Sequence, residues 1–317
     1  MVTVSNADRV VFPEVGKTKG DVVAYYERIA PRALPHLIER PLSIRRYPKG
    51  LAGPGFFQKN VPAHYPDSIE RVGVPRSRAA SKKHRDARNA EQNLTMYPLV
   101  NSAEQLAYLA NQGAIELHVP TSRAPDLNHP DRLVIDLDPP AHAFDRVRRA
   151  AELIRNALAD YELAAIPVAT GSKGYHVVVP IARSVDAETL ALTAQKFATL
   201  QAAEHASELT TIYRIALRAG RVFVDWLRNN PISSVVAPYS LRATARASVA
   251  TPLRWDELAA TDPNAFHIDD LERLLDRPDP LAELAATPSD PLPFVRGVEA
   301  AFERSGLVLE TFDRFRS

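Results

Sequence analysis

The chain has 317 residues, 45% of them hydrophobic and 24% charged, the make-up of a globular protein with one large or two modest domains. No apolar run reaches the roughly 18 residues of a membrane span, the start MVTVSNADRV lacks the basic-then-apolar layout of a signal peptide, and the absence of cysteine excludes disulfides, thiolate zinc sites and cysteine nucleophiles. A cytoplasmic enzyme of bacterial type is the expectation. The net charge of +1 conceals an uneven distribution. Residues 71–88 carry seven Lys or Arg against Asp86, whereas residues 256–290 carry ten Asp or Glu against Arg273 and Arg277. The basic stretch reads either as a surface for a polyanion or as a solvated loop.

In chain order, Val22, Val23, Tyr26, Ile29 and Ala30 recur at helical spacing within 19–39, a helix that Pro31 and Pro35 should interrupt. PLSIRRYP (41–48) reads as a strand with arginines at its end. Residues 50–66 are a Gly/Pro-rich loop carrying Phe56 and Phe57, and residues 74–93 a long polar loop. SAEQLAYLANQG (102–113) predicts a helix, with a Ser102/Gln105 capping box and Gly113 as its stop. AIELHVP (114–120) and RLVIDLD (132–138) predict strands. Residues 142–161 predict an amphipathic helix through Phe144, Val147, Ala151, Ile154 and Leu158. AAIPVAT and YHVVVP (175–180) are strands around the turn GSKG, and 186–206 is a helix along Leu190, Ala194, Phe197 and Gln201. RVFVDW (221–226) is a strand, VVAPYSLR (235–242) is extended, and after 252 come short helices split by Asp-Pro turns. Short, proline-bounded strands among helices argue against a simple doubly wound sheet.

The chemistry concentrates at strand ends. By the two-residue period of a strand, Asp136 and Asp138 share a face with Val134, roughly 6–7 Å apart at Cα, and Pro139 and Pro140 end the strand behind them. Two carboxylates that close repel unless a cation lies between them, so the pair is either a site for a divalent metal or two solvated aspartates opening a loop. Asp225 ends another apolar strand. Three strand-borne aspartates are able to build a two-metal site for phosphoryl transfer, and the bland alternative pairs Asp225 with an arginine such as Arg221. TGSKGYH (170–176) combines two glycines, the hydroxyls of Thr170 and Ser172, Lys173 and then His176, which suits either a hairpin turn or a phosphate nest; it is not a Walker A loop. His118 lies on a polar strand face with Glu116. Arg45, Arg46, Arg218, Arg221, Arg228 and Arg242 stand near strand ends, where a guanidinium is the natural partner of phosphate. Phe56 and Phe57 invite base stacking or core anchoring. HRDARN (84–89) looks like a kinase catalytic loop, but the asparagine spacing is wrong and no D-F-G follows.

Taken in order, SNADRVVFP, KTKGD, GFFQKN, IELHVP, LVIDLDPP, TGSKGYHVVVP, RVFVDWLRNN and VAPYSLRA make the chain resemble the polymerase domain of bacterial DNA ligase D, in the archaeo-eukaryotic primase superfamily, over roughly residues 2–275. The resemblance implies an α+β, primase-like fold: a mainly antiparallel sheet bearing the aspartates, packed against a smaller N-terminal α/β part with a cleft between. It implies a catalytic domain of two interleaved subdomains over 1–285, with 286–317 left as a C-terminal helical extension. Asp136, Asp138 and Asp225 match the catalytic carboxylates, which would hold two Mn2+ or Mg2+ ions. Arg45, His118, Thr170, Ser172, Lys173, His176 and Arg242 match the site of the incoming nucleoside triphosphate. Asn6, Arg9, Lys19, Phe56, Phe57 and Lys59 match residues that grip DNA, Lys19 and Arg9 at the 5′-phosphate of the downstream strand.

The implied activity is nucleotide addition, NTP or dNTP with a preference for ribonucleotides, to DNA 3′ ends at gaps or breaks during non-homologous end joining. A de novo primase is the alternative, and a non-catalytic DNA-end-binding module a third reading. No ligase K-x-D-G sequence occurs, so the chain is a stand-alone polymerase, which its start methionine and C-terminal segment favour, or an excised domain. The implied partners are Ku and a separate ATP-dependent DNA ligase, and the implied location is the nucleoid.

Overall fold

The structure is a computed structural model that describes residues 3–75, 94–140 and 143–309. Residues 76–93, the greater part of the expected basic loop, lie outside the described residues. In chain order the elements are β1 (Val10–Phe12), β2 (Lys17–Thr18), α1 (Lys19–Leu37), β3 (Ser43–Arg46), β4 (Phe56–Gln58), β5 (Arg71–Pro75), β6 (Leu94–Pro98), α2 (Ala103–Asn111) and β7 (Ala114–Val119). They continue with β8 (Arg132–Asp138), α3 (Phe144–Ala159), β9 (Ile166–Ala169), β10 (Tyr175–Pro180), α4 (Ala187–Glu204), β11 (Leu209–Thr210), β12 (Val222–Asp225), β13 (Val235–Val236), β14 (Thr251–Pro252) and, after short helical turns, α5 (Leu292–Ser305). No described helix is long and apolar enough to cross a membrane. The chain divides into two compact units: Met1–Asp126 with Ser234–Thr251 and Asn264–Asp279, and Leu127–Ser233 with Pro252–Pro263 and Pro280–Ser317.

In the first unit, an antiparallel sheet of order β13–β7–β3–β4 leaves β4 at its edge. Helix α2 has the predicted capping box, Ser102 Oγ accepting the Gln105 N–H and Gln105 Oε1 accepting the Ser102 N–H. Helix α1 departs from expectation, because it runs through Pro31 and Pro35 to Leu37. Each internal proline removes a helix bond at a cost of about 3 kcal/mol. Opposing this, Tyr25, Tyr26, Ile29, Ala30, Ala33 and Leu37 are buried along one face. The Arg123 guanidinium donates to the carbonyls of Pro35 (2.7 Å) and Ile38 (2.5 Å), satisfying acceptors that the helix end leaves open. Phe56 and Phe57 sit on strand β4 and not in a loop.

The second unit is built on strands in the order β11–β12–β8–β10–β9, with the β12–β8, β8–β10 and β10–β9 pairs antiparallel and β11–β12 parallel. Its central strand β8 has Leu133, Val134, Ile135 and Leu137 buried and Asp136 and Asp138 half-buried, the alternation of a strand whose end opens on one face. Asp186 caps α4 by accepting the Thr189 N–H at 2.9 Å. Helix α5 joins this unit: Phe294 is fully buried between the rings of Phe197 (5.4 Å) and Tyr161 (5.5 Å), and Glu299 pairs with Lys196.

Four acids of the acidic stretch find partners within their own unit. Asp269 pairs with Lys17, Glu272 with Arg28 and Asp279 with the buried His36 in the first, and Asp262 pairs with Arg148 in the second.

Candidate active site

The register of the second unit's sheet puts Asp136 directly opposite Asp225 on one side and His176 on the other, with Asp138 opposite Phe223. Directly opposed residues point to the same face, so all three carboxylates share one face. Arg228, on the turn just after β12, bridges two of them: its Nε lies 3.0 Å from Asp136 Oδ2 and its terminal nitrogen 2.8 Å from Asp225 Oδ2. Arg221, the partner considered from sequence, instead donates to the Arg218 and Leu217 carbonyls. Asp225 Oδ1 accepts the Leu227 N–H at 2.9 Å.

Burial, reinforced by the charge of Asp136, pushes the Asp225 carboxyl up to about 6, and the same two causes raise Asp138. The Arg228 guanidinium is held above its ordinary value; burial works against its charge, and the carboxylates of Asp136 and Asp225 outweigh it. The donor set suits a hard divalent cation: three carboxylates on one face, two of them raised by burial and by the neighbouring Asp136 charge. Among the described residues no group of three or more His, Cys, Asp or Glu side chains is arranged as a ligand cage; the oxygens face Arg228, Lys173 and His176.

The 170–176 bend stands beside these carboxylates. It links β9 to β10 as a hairpin, with Lys173 Nζ 3.5 Å from Asp138 Oδ1 and His176 Nε2 3.6 Å from Asp136 Oδ1. Gly174 is required by close approach, since a Cβ there would fall 2.1 Å from the Leu137 carbonyl oxygen. Thr170 was expected to donate to a triphosphate, but its buried hydroxyl donates to the Gly174 carbonyl at 2.7 Å and closes the bend. Lys173 is exposed and Ser172 half-buried at the tip.

The remaining predicted residues lie in the first unit. Glu116 on β7 is 2% exposed and gathers two arginines and a histidine. His118 Nε2 lies 3.0 Å from one carboxylate oxygen, while Arg45 at 3.4 Å, Arg242 at 3.5 Å and the Ala243 N–H at 2.9 Å share the other. Burial opposes the Glu116 charge, yet the hydrogen bond from His118, the Arg242 guanidinium and the Ala243 N–H hold its carboxyl down at about 2. Phe56 and Phe57 are 48% and 57% exposed, each beneath an arginine, Arg46 and Arg45, at 5.7 Å. Phe57 also meets the His118 ring edge-on at 5.3 Å, and the exposed Lys59 follows β4.

Asn6, Arg9 and Lys19 line a cavity of about 190 Å³ in the same unit, together with Ser5, Arg46 and Tyr47. Lys19 Nζ donates to the Ser5 carbonyl (2.6 Å) and hydroxyl (2.8 Å), and Arg9 donates to the Pro48 carbonyl. Burial, helped by the Arg9 charge, lowers the Lys19 ammonium from its ordinary value, a cation pair that an anion would relieve.

Two residues took on roles that sequence reasoning did not assign. The sequence places Arg228 among the arginines suited to phosphate, and its spacing of three from Asp225 is the signal for the ion pair. Glu116 shares a strand face with His118, and the period of two is the signal that they touch.

A family model described as LigD, primase-polymerase domain, matches residues 18–281. The multifunctional non-homologous end joining protein LigD of Mycolicibacterium smegmatis is 33% identical over 288 residues, covering 90% of this chain and 36% of that protein. The LigD of Mycobacterium tuberculosis is 35% identical over 266 residues, 81% of this chain and 33% of that protein. The chain thus spans about a third of the length of these relatives. The solved polymerase domain from Mycobacterium tuberculosis ligase D, in complex with DNA, superposes with a TM-score of 0.79 at 34% identity, over 91% of this chain and 99% of that one.

Proposed function

The chain belongs to the LigD primase-polymerase domain family, and from that premise we propose that it is a metal-dependent nucleotidyltransferase that extends DNA 3′ ends at gaps and double-strand breaks in non-homologous end joining. The observation that carries the reading is the single sheet face bearing Asp136, Asp138 and Asp225 with Lys173 and His176 of the bend beside them. These carboxylates would hold two Mn2+ or Mg2+ ions, which supply activation of the primer 3′-OH and charge stabilisation at the departing pyrophosphate.

Lys173 and His176 serve the incoming triphosphate as cation and hydrogen-bond donor, and Gly174 holds the bend close enough to β8 for them to reach. In the first unit Arg45 and Arg242, tied together with His118 by Glu116, offer charge and hydrogen bonds to phosphate, and ribonucleotides are preferred over deoxyribonucleotides as substrates. The Asn6, Arg9 and Lys19 cavity suits a terminal 5′-phosphate, and the exposed Phe56 and Phe57 offer faces to template bases, with Lys59 at the backbone. Residues 1–285 form the catalytic domain and 286–317 its C-terminal extension. In the cell the partners are Ku, a separate ATP-dependent ligase and nucleoid DNA.

A labelled primer–template with a downstream 5′-phosphate, incubated with Mn2+ and single nucleotides, tests the reading. Templated one-nucleotide extension is expected. Product formed without a primer would make the enzyme a de novo primase, and DNA binding without any product would make it an end-binding module.

A further inference from the structure

Arg228 is anchored beside the carboxylates by the turn that carries it. The turn that carries it, Leu227–Asn229, is fixed to β8 by Asn229, which is fully buried. The Asn229 side chain accepts the Val134 N–H (2.9 Å) and donates to the Val134 carbonyl (2.7 Å), two residues before Asp136. The backbone of Arg228 therefore cannot swing away; only its side chain moves. From that fixed origin the planar guanidinium reaches one oxygen of Asp136 and one of Asp225 at once, the forked geometry that suits Arg and not Lys. The other oxygen of Asp225 is held by the Leu227 N–H, that of Asp136 faces His176, and Asp138 faces Lys173. A divalent cation that collects Asp136 and Asp225 competes with a positive charge already seated on both.

We propose that Arg228 is a built-in counter-ion of the carboxylate cluster that weakens its hold on divalent cations. Arg228 acts through Asp136 and Asp225, so it is a positioning residue. It holds the two like-charged side chains side by side and makes cation binding an exchange of charges instead of an addition. The inference rests on the reading that these carboxylates take metal.

The test is calorimetric titration of Mn2+ into the full chain after EDTA treatment, with a melting curve to show that each variant is folded. Arg228→Met keeps the aliphatic stem and removes the charge. It is expected to bind Mn2+ at least about tenfold more tightly than the parent, because a like charge within roughly 5 Å of a half-buried site is worth more than that factor. Arg228→Gln is the second neutral variant should the methionine variant fail to fold, with the same expectation. Arg228→Lys, which keeps the charge without the fork, is expected to stay within about threefold of the parent, since the effect is one of charge. Equal or weaker Mn2+ binding by the neutral variants overturns the proposal. If the parent binds Mn2+ and Asp138→Asn weakens that binding while Arg228→Met leaves it unchanged, only the role of Arg228 falls. If the parent takes up no Mn2+, the carboxylate reading falls and this proposal with it.

Discussion

Replacing Glu116 with glutamine removes one buried charge and leaves His118, Arg45 and Arg242 around a neutral amide. The structure sets the size of the effect. Glu116 is 2% exposed, so solvent does not screen it, and its carboxyl sits at about 2 against an ordinary 4.5. By linkage that depression is worth about 3 kcal/mol at pH 7, in the range found when one partner of a buried pair is removed. The folded value lies below the unfolded one, so this stability is present above the ordinary carboxyl value and is lost as pH falls toward 2. The gap between parent and Glu116→Gln should therefore shrink from about 3 kcal/mol at pH 7 to about 2 kcal/mol at pH 3.5. Urea unfolding at the two pH values measures it, and a melting temperature lowered by roughly 4–5 °C at pH 7 should accompany it. A variant as stable as the parent at pH 7, or a gap that widens on acidification, would refute the reasoning.

Gly174→Ala forces a Cβ into the Leu137 carbonyl; it should cost about 1–3 kcal/mol in thermal unfolding and weaken nucleotide binding in fluorescence titration, and an unchanged melting curve would contradict the close approach. Asp225 is raised from 3.8 to about 6, first by burial, so the stability cost of its charge builds as pH rises from the ordinary carboxylate value to about 6 and is complete above. Asp225→Asn should raise the melting temperature of EDTA-treated protein at pH 8, raise it about half as much at pH 5 and leave it nearly unchanged at pH 3; a lower value at pH 8 would show that Arg228 more than offsets burial. Lys19→Ala should remove any advantage of a 5′-phosphorylated gap over an unphosphorylated one in a DNA-binding assay, and a preserved advantage would place the phosphate elsewhere.

What could be read from the sequence was local. The period of two located the β8 carboxylates on one face, and β8 and β10 keep the predicted bounds. The Ser102 and Gln105 pair named its own helix start because both partners lie within four residues. What could not be read depends on distant chain. Helix α1 survives two prolines with help from Arg123, 85 residues beyond Ile38. Arg228 meets Asp136 across 92 residues, and Glu116 meets the Ala243 N–H across 127. Strand β4 is hidden in the sequence by the glycines and prolines around it, and it forms because β3 offers a ladder. Thr170 looked like a ligand donor because nothing in TGSKG shows that its hydroxyl turns back on Gly174.

The most direct measurement is single-turnover primer extension by Asp136→Ala with Mn2+, alongside its affinity for the same gapped DNA. Extension should vanish, a loss of at least about a thousandfold for a group that acts on the reacting atoms, while DNA affinity stays within about threefold of the parent. An Asp136→Ala protein that still adds nucleotides at a parental rate would contradict the account.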